Sequence, residues 1–256
     1  MKISINVASY KRPFVKTKNY IKDINVYVAG EEFDKYKKTN PEVEIIACPS
    51  GVQGNIARVR NYILKNEFSK GVDVVTMIDD DLKGIYYWRK NIANLVEGIY
   101  LKGMIEKYSI LCKDLGAYLW GINLNKDRQI YKEYCPFKTK AYIGAPFMNF
   151  LKGNNCLFDE RLPLKEDYDM TLQQLNKNRV VLRVQNYYYD TIQCKQKGGC
   201  AAIRNREKEK QQFDILQNKW GKSIVRDGSE SKQNHRNKKK KNFDINPILR
   251  IPISGV

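Results

Sequence analysis

Apolar and polar positions alternate from the start of the chain, and Lys2 to Ala8 (Lys-Ile-Ser-Ile-Asn-Val-Ala) predicts a strand. Ser9-Tyr10-Lys11-Arg12-Pro13 then reads as a turn carrying a basic pair. Asn25 to Ala29 predicts a second strand, and Gly30-Glu31-Glu32 opens a short charged helix. Val43 to Ala47 predicts a third strand, closed by Pro49-Ser50-Gly51. Ile56, Val59 and Ile63 fall at helical spacing, so Asn55 to Phe68 predicts an amphipathic helix. Val72 to Ile78 predicts a fourth strand, apolar enough to be covered on both faces. Strands alternating with helices in this way predict an α/β fold with a parallel sheet and right-handed crossovers. The crevice of such a sheet lies at the carboxyl ends of its strands, where Ser9-Tyr10 and Asp79-Asp80-Asp81 both fall.

The second half is less regular. Asn91 to Leu115 carries Ile92, Leu95, Ile99, Ile105, Tyr108 and Leu111 and predicts one long helix, bent at Gly98 or Gly103. Ala117 to Asn123 and Ala141 to Phe150 predict two strands, separated by a polar stretch from Asn125 to Lys140. Glu166 to Lys177 predicts a helix, Val180 to Tyr189 a strand, and Ile203 to Asn218 a charged helix. Beyond Asp227 the core pattern fades, and Lys232 to Lys241 holds six Lys or Arg. The apolar residues after it, Ile245 to Ile251, read as an edge strand able to dock back. The expected organisation is one α/β domain over residues 1–226, with a nucleotide-binding half (1–90) and an acceptor half (91–226). A basic tail (227–256) follows.

The chain has 256 residues, and 46 Lys+Arg against 28 Asp+Glu give a formal charge of +18. A hydrophobic fraction of 42% is too high for a disordered chain despite that charge. No apolar run reaches the roughly 18 residues of a membrane span, and the N-terminus reads as a strand rather than a signal peptide. Six cysteines lack any CxxC pair and His235 is the single histidine, which argues against a zinc framework or a Ser-His-Asp triad. The cysteine usage reads as reducing and cytoplasmic. The charge makes a polyanion partner the expectation, because Lys and Arg gain by releasing counterions from phosphates.

Candidate chemistry lies in two acidic groups. Asp79-Asp80-Asp81 ends a buried strand, and adjacent carboxylates that repel are best tolerated when a divalent cation neutralises them. Asp79 and Asp81 lie two apart, so in an extended segment they reach the same side. The alternative is a set of aspartates capping a helix. Glu166-Asp167-Tyr168-Asp169 precedes an amphipathic run and offers a carboxylate general base. Its alternative is acidic residues favoured in a helix's first turn by the dipole. Tyr187-Tyr188-Tyr189 is either alternating strand packing or a base-stacking platform, and Trp120 either core or a contact to sugar or base. The Gly198-Gly199-Cys200 turn is either a surface turn or a source of backbone N–H groups for phosphates.

These pieces occur in a characteristic order: Ser-Tyr-Lys-Arg-Pro after the first strand, Gly54-Asn55-Ile56-Ala57-Arg58-Val59-Arg60-Asn61 at a helix start, Asp-x-Asp, then Glu-Asp before a helix. In that order the chain resembles the GT-A glycosyltransferases over most of residues 1–220. Its size, its basic character and its Leu-Pro-Leu-Lys-Glu-Asp-Tyr-Asp segment look more specifically like the phage TET-associated glycosyltransferases. The resemblance implies a Rossmann-type sandwich, with a mostly parallel central sheet and a smaller mixed sheet on the acceptor side. It also implies Mn²⁺ or Mg²⁺ on Asp79 and Asp81, with His235 as a further candidate ligand, and a UDP-sugar donor. Ser9, Tyr10, Arg12, Arg58 or Arg60, Asn61, Asp79 and Asp80 would lie near the nucleotide. Asp167, with Glu166 beside it, would match the catalytic Glu-Asp pair.

The implied acceptor is a hydroxymethylated pyrimidine of DNA such as 5-hydroxymethylcytosine, in a bacteriophage-infected cell. The basic run Lys238, Lys239, Lys240 and Lys241 would then serve DNA binding; its alternative is a solvated charge run. Three other functions fit parts of the pattern. They are transfer to a glycan or protein, a two-metal nuclease built on Asp79, Asp81, Glu166 and Asp167, and a non-enzymatic nucleic-acid-binding domain.

Overall fold

The computed structural model describes residues 1–128, 131–191, 199, 204–230 and 246–251. The first half follows the alternation. Strand β1 (Ile3–Ala8) leads to β2 (Asn25–Ala29), helix α1 (Phe33–Thr39), β3 (Glu44–Cys48), α2 (Ile56–Ser69) and β4 (Val74–Asp79). These four strands are mutually parallel in the order β3-β2-β1-β4. Asn55 caps α2, its Oδ1 accepting from the N–H groups of Ala57 (3.0 Å) and Arg58 (3.4 Å).

The chain then departs from the expected long helix. Leu82–Arg89 (β5) and Ile92–Leu95 (β6) form an antiparallel hairpin, a 3₁₀ turn follows, and helix α3 occupies only Leu101–Asp114. Ile92, Leu95 and Ile99 mimic helical spacing, yet all three are exposed, so they form no core face. Lys90 and Asn91 both have positive φ (48° and 64°), the backbone of a two-residue type I′ hairpin turn. The remaining elements are β7 (Leu119–Asn123), β8 (Phe137–Lys138), β9 (Phe147–Leu151), α4 (Glu166–Asn178), β10 (Leu182–Thr191), α5 (Arg206–Trp220), β11 (Val225–Arg226) and β12 (Ile248–Leu249).

The polar stretch after Asn125 thus contains a short strand, and the strand expected over 141–150 shrinks to β9. Gly144-Ala145-Pro146 interrupts it, because proline has no N–H for the ladder. The final apolar segment does return, with Val225 and Arg226 pairing with Leu249 and Ile248. Phe243 to Ile245 lie outside the described residues.

The acceptor-side strands are mixed and continue the same sheet through β4-β9-β7-β10-β5-β6. Strand β10 spans both regions. Leu182–Val184 run parallel to β7, and after a register shift Tyr187–Thr191 run antiparallel to β5. Both faces are covered: Val74 and Ile78 of β4 point to the core beneath α3, Val75 and Met77 to the core beneath α2 and α4. Trp120 is fully buried, with Nε1 donating to Ser109 Oγ at 2.9 Å, and so belongs to the core rather than to a binding surface.

Helix α5 fixes the entry of α4. Lys219 pairs with Asp159 (2.9 Å) and with fully buried Asp169 (2.8 Å), and Trp220 Nε1 donates to Asp169 Oδ1 (2.7 Å). Hydrogen bonds from Arg161, with Lys219 adding to them, hold the Asp159 carboxyl well below its ordinary 3.8. The folded-state value lies below the unfolded one, so this contribution is complete above the unfolded value and is lost as pH falls through that window. Asp159→Asn is therefore expected to lower Tm at neutral pH, with the gap to the native chain closing below about pH 4. Melting curves of both proteins across that range check it.

Candidate active site

The acidic turn sits where the parallel-sheet rule places a crevice. Asp79 is the last residue of β4, Asp80 and Asp81 form the turn, and a strand follows, so these aspartates cap no helix. The turn also removes the extended geometry that would align Asp79 with Asp81; what separates the three is burial. Asp80 is 6% exposed and fully engaged: Ser9 Oγ donates to Oδ2 (2.6 Å) and Arg12 Nη1 to Oδ1 (2.8 Å). The Tyr36 hydroxyl joins this group, lying 2.9 Å from Ser9 Oγ and accepting from the Arg12 N–H at 2.9 Å. Ser9, Arg12 and Asp80 thus bind the loop after β1 to the acidic turn. Thr17 Oγ1 fastens the same turn, donating to Asp79 O (2.6 Å) and accepting from Leu82 N (3.0 Å).

Asp79 and Asp81 remain partly exposed. Burial, opposed by Arg60 and reinforced by Asp81 and Asp80, pushes Asp79 up to about 6. Burial and then Asp80 raise Asp81 as well. Among the described residues no cluster of three or more His, Cys, Asp or Glu side chains is placed to hold a metal ion, and His235 lies outside them. Two hard oxygen donors nonetheless suit Mg²⁺ or Mn²⁺, which take one or two carboxylates and complete their shell with substrate phosphates.

The two acidic groups are joined by one guanidinium. Arg60, on α2 and 4% exposed, donates from Nη1 to Glu166 Oε1 (2.6 Å) and from Nη2 to Asp79 Oδ1 (3.2 Å). Burial, then the charge of Asp167, raises the Glu166 carboxyl, and Arg60 opposes the shift. Arg58, by contrast, is exposed, pairing with Glu160 (3.3 Å) and donating to Gly51 O. Asn61 is buried, and its amide holds both the N–H (2.7 Å) and the C=O (2.9 Å) of Phe158. It therefore shapes the 158–160 loop.

Asp167 opens α4 and is held by three donors. The Tyr142 hydroxyl and the Ala145 N–H (3.2 Å) both donate to Oδ2, and the Tyr168 N–H donates to Oδ1 (2.9 Å). Oδ1 keeps lone-pair capacity for an incoming hydroxyl. The Tyr142 ring stacks on Tyr168 at 4.1 Å, fixing its direction. Gly144 lies close to Leu124, whose Cδ2 would have to turn aside from a Cβ placed there, 2.1 Å away. The three tyrosines of β10 divide their tasks. Tyr187 packs on Tyr87 and Tyr108, Tyr188 stacks on Tyr86 and Trp88, and Tyr189 is raised by burial and then by Asp79 and Asp167.

A cavity of about 300 Å³ lies at the carboxyl ends of β2 and β3, beside the loop after β1, and the carboxylates of the two acidic groups do not line it. Tyr10, Gly30, Glu31, Cys48, Pro49 and Gly51 are among its lining residues. Gly199 lies against the Arg12 guanidinium, and its N–H donates to Tyr10 O (3.0 Å), so that group serves the loop. The rest of that turn and Lys238 to Lys241 lie outside the described residues. Tyr142, Ala145 and Tyr36 join the site without any motif that marks them in the sequence; the Gly-Ala-Pro break is the one local sign that residues 141–146 form a loop.

The family model described as TET-Associated Glycosyltransferase matches residues 15–199. No curated protein matches the chain. Among solved structures, residues 1–349 of TarS from S. aureus share 13% identity at a TM-score of 0.46, over 73% of this chain and 60% of that one. The chain thus spans less than two thirds of that structure. A cytidylyltransferase from Leptospira borgpetersenii shares 12% identity at a TM-score of 0.41, over 73% of this chain and 76% of the other.

Proposed function

The chain belongs to the TET-associated glycosyltransferase family, and on that premise we propose that it moves a sugar from a nucleotide diphosphate donor to a hydroxyl on a hydroxymethylated pyrimidine of DNA. The observation that carries this reading is the pairing of two carboxylate groups across Arg60: Asp79 and Asp81 on the strand side, Glu166 and Asp167 on the helix side. The 300 Å³ cavity beside Tyr10 is of a size to take the nucleoside of the donor. Asp79 and Asp81 would hold Mn²⁺ or Mg²⁺, which when bound offsets the charge of the departing diphosphate.

The chain's own residues supply the rest. Arg12, through Asp80, orders the loop under the nucleoside. Asp167 Oδ1 accepts the proton of the acceptor hydroxyl, while Tyr142 and the Ala145 N–H keep Oδ2 in place. A base inside duplex DNA cannot reach this recess, so the modified base is flipped out of the stack. A two-metal nuclease would need Glu166 and Asp167 as ligands, yet Arg60 engages one and Tyr142 the other.

Thermal shift with nucleotide sugars tests the donor side. A UDP-sugar with Mn²⁺ is expected to raise the Tm of the native chain by an amount that grows with its concentration over Kd. Asp79→Asn and Asp81→Asn are each expected to lose that shift while keeping the fold, because each relieves carboxylate repulsion. Full transfer activity in both variants would sink the assignment.

A further inference from the structure

The β5–β6 hairpin takes no part in the chemistry above: β5 pairs with β10 inside the large sheet from Leu82 to Tyr87, and only Trp88 to Asn91 run past that pairing. Its base is the active site itself, since Leu82 follows Asp81 and pairs with Thr191, two residues from Tyr189. At about 3.3 Å per residue, the seven steps from Leu82 to Arg89 carry its tip roughly 23 Å away. Pairing with β10 holds it, and Tyr188 of that strand stacks on Tyr86 and Trp88 with ring centroids 5.4 and 5.6 Å apart. The type I′ turn at Lys90 and Asn91 sets its end.

Its surface chemistry is one-sided. Between Asp81 and Glu97 the sequence holds Lys83, Arg89 and Lys90 and no acidic residue. All three cations are exposed, Lys83 pairing with Asp190 of β10 (3.7 Å) and Arg89 and Lys90 lying at the tip, and Ile92 (64%) and Leu95 (48%) are exposed on the edge strand. A reach of roughly 23 Å corresponds to about seven base-pair steps at 3.4 Å each.

We infer that the β5–β6 ribbon is a duplex-DNA contact, with Arg89 and Lys90 at its tip on backbone phosphates several base pairs from the base being modified. This inference rests on DNA being the acceptor. It adds a surface distinct from the carboxylate centre.

The test is an Arg89→Gln/Lys90→Asn variant, in which asparagine suits the positive φ that the turn demands. An Asn91→Gly variant, which suits the same turn and keeps both charges, is the folding control. Binding to a hydroxymethylated duplex longer than the ribbon is measured over a range of salt. The log–log salt slope of the double variant is expected to be shallower by about two, one for each phosphate no longer neutralised. Its KM for that duplex should rise, while transfer to a hydroxymethylated trinucleotide, too short to reach the tip, stays at the native level. Asn91→Gly should match the native chain on both acceptors. An unchanged slope and KM, or a native chain that pairs with a second copy through this edge while the variant still binds DNA normally, would overturn the inference and leave the acceptor reading standing. A native chain that neither binds nor modifies the duplex would remove the acceptor reading, and this inference with it.

Discussion

Replacing Asp167 with asparagine is expected to lower the turnover of sugar transfer by roughly a hundredfold or more, with donor binding nearly unchanged. In the proposed reaction the carboxylate's Oδ1, which accepts the Tyr168 N–H, also meets the acceptor hydroxyl, whereas Oδ2 takes both the Tyr142 hydroxyl and the Ala145 N–H. An amide in this place can still accept one of these bonds but cannot take up a proton at neutral pH. Tyr142→Phe removes one of the groups that aim Asp167 and leaves the carboxylate itself. Its expected loss is smaller than that of Asp167→Asn, and it should appear in kcat rather than in donor KM. Steady-state kinetics on both variants decides. A collapse of donor affinity in Asp167→Asn would make the residue part of the donor site, and an inactive Glu166→Gln beside an active Asp167→Asn would move the base one position.

Arg60→Met is expected to cost both stability and activity. The guanidinium is the ion-pair partner of Glu166, whose side chain is 8% exposed, and removing one member of a buried pair typically costs about 3–5 kcal/mol. Most of that loss belongs to the uncompensated Glu166; Asp79, with a side chain 36% exposed, contributes less because water reaches it. Arg60→Met/Glu166→Gln should therefore recover much of the stability, since the remaining amide needs no counter-charge. It should not recover transfer, because the link between β4 and α4 is still absent. Urea unfolding of the single and double variants gives the coupling directly. An Arg60→Met chain as stable as the native one would show that Glu166 is satisfied by other means.

Much of the first half is legible in the sequence because its apolar residues have one dominant period in each segment. The run Val72 to Ile78 has apolar residues for both faces of a sheet, and Val74 and Val75 do go to opposite cores. The start of α2 is readable from Asn55, whose side chain caps it. The β5–β6 hairpin is not, because Ile92, Leu95 and Ile99 match a helical template while facing solvent; periodicity reports spacing, and burial comes only from what packs against it. The aromatic run Tyr86-Tyr87-Trp88 is the competing strand signal.

In the site, the residue types are readable and their partners are not. Ser9 meets Asp80, and Arg60 meets Glu166, across long sequence separations that no local pattern encodes. The burial of Asp80 is the clearest consequence. Three adjacent aspartates look equivalent in the sequence, but the turn directs the middle one into Ser9 and Arg12 and leaves its neighbours to face the cleft.

The decisive experiment supplies the purified chain with a labelled UDP-sugar and Mn²⁺, and offers three acceptors: duplex DNA bearing hydroxymethylated pyrimidines, the same duplex unmodified, and a small glycan. Label is expected on the hydroxymethylated duplex alone, with the unmodified duplex bound comparably but left unlabelled because it lacks the hydroxyl. Transfer to the glycan with none to DNA, or strand cleavage in place of transfer, would contradict the proposed reaction.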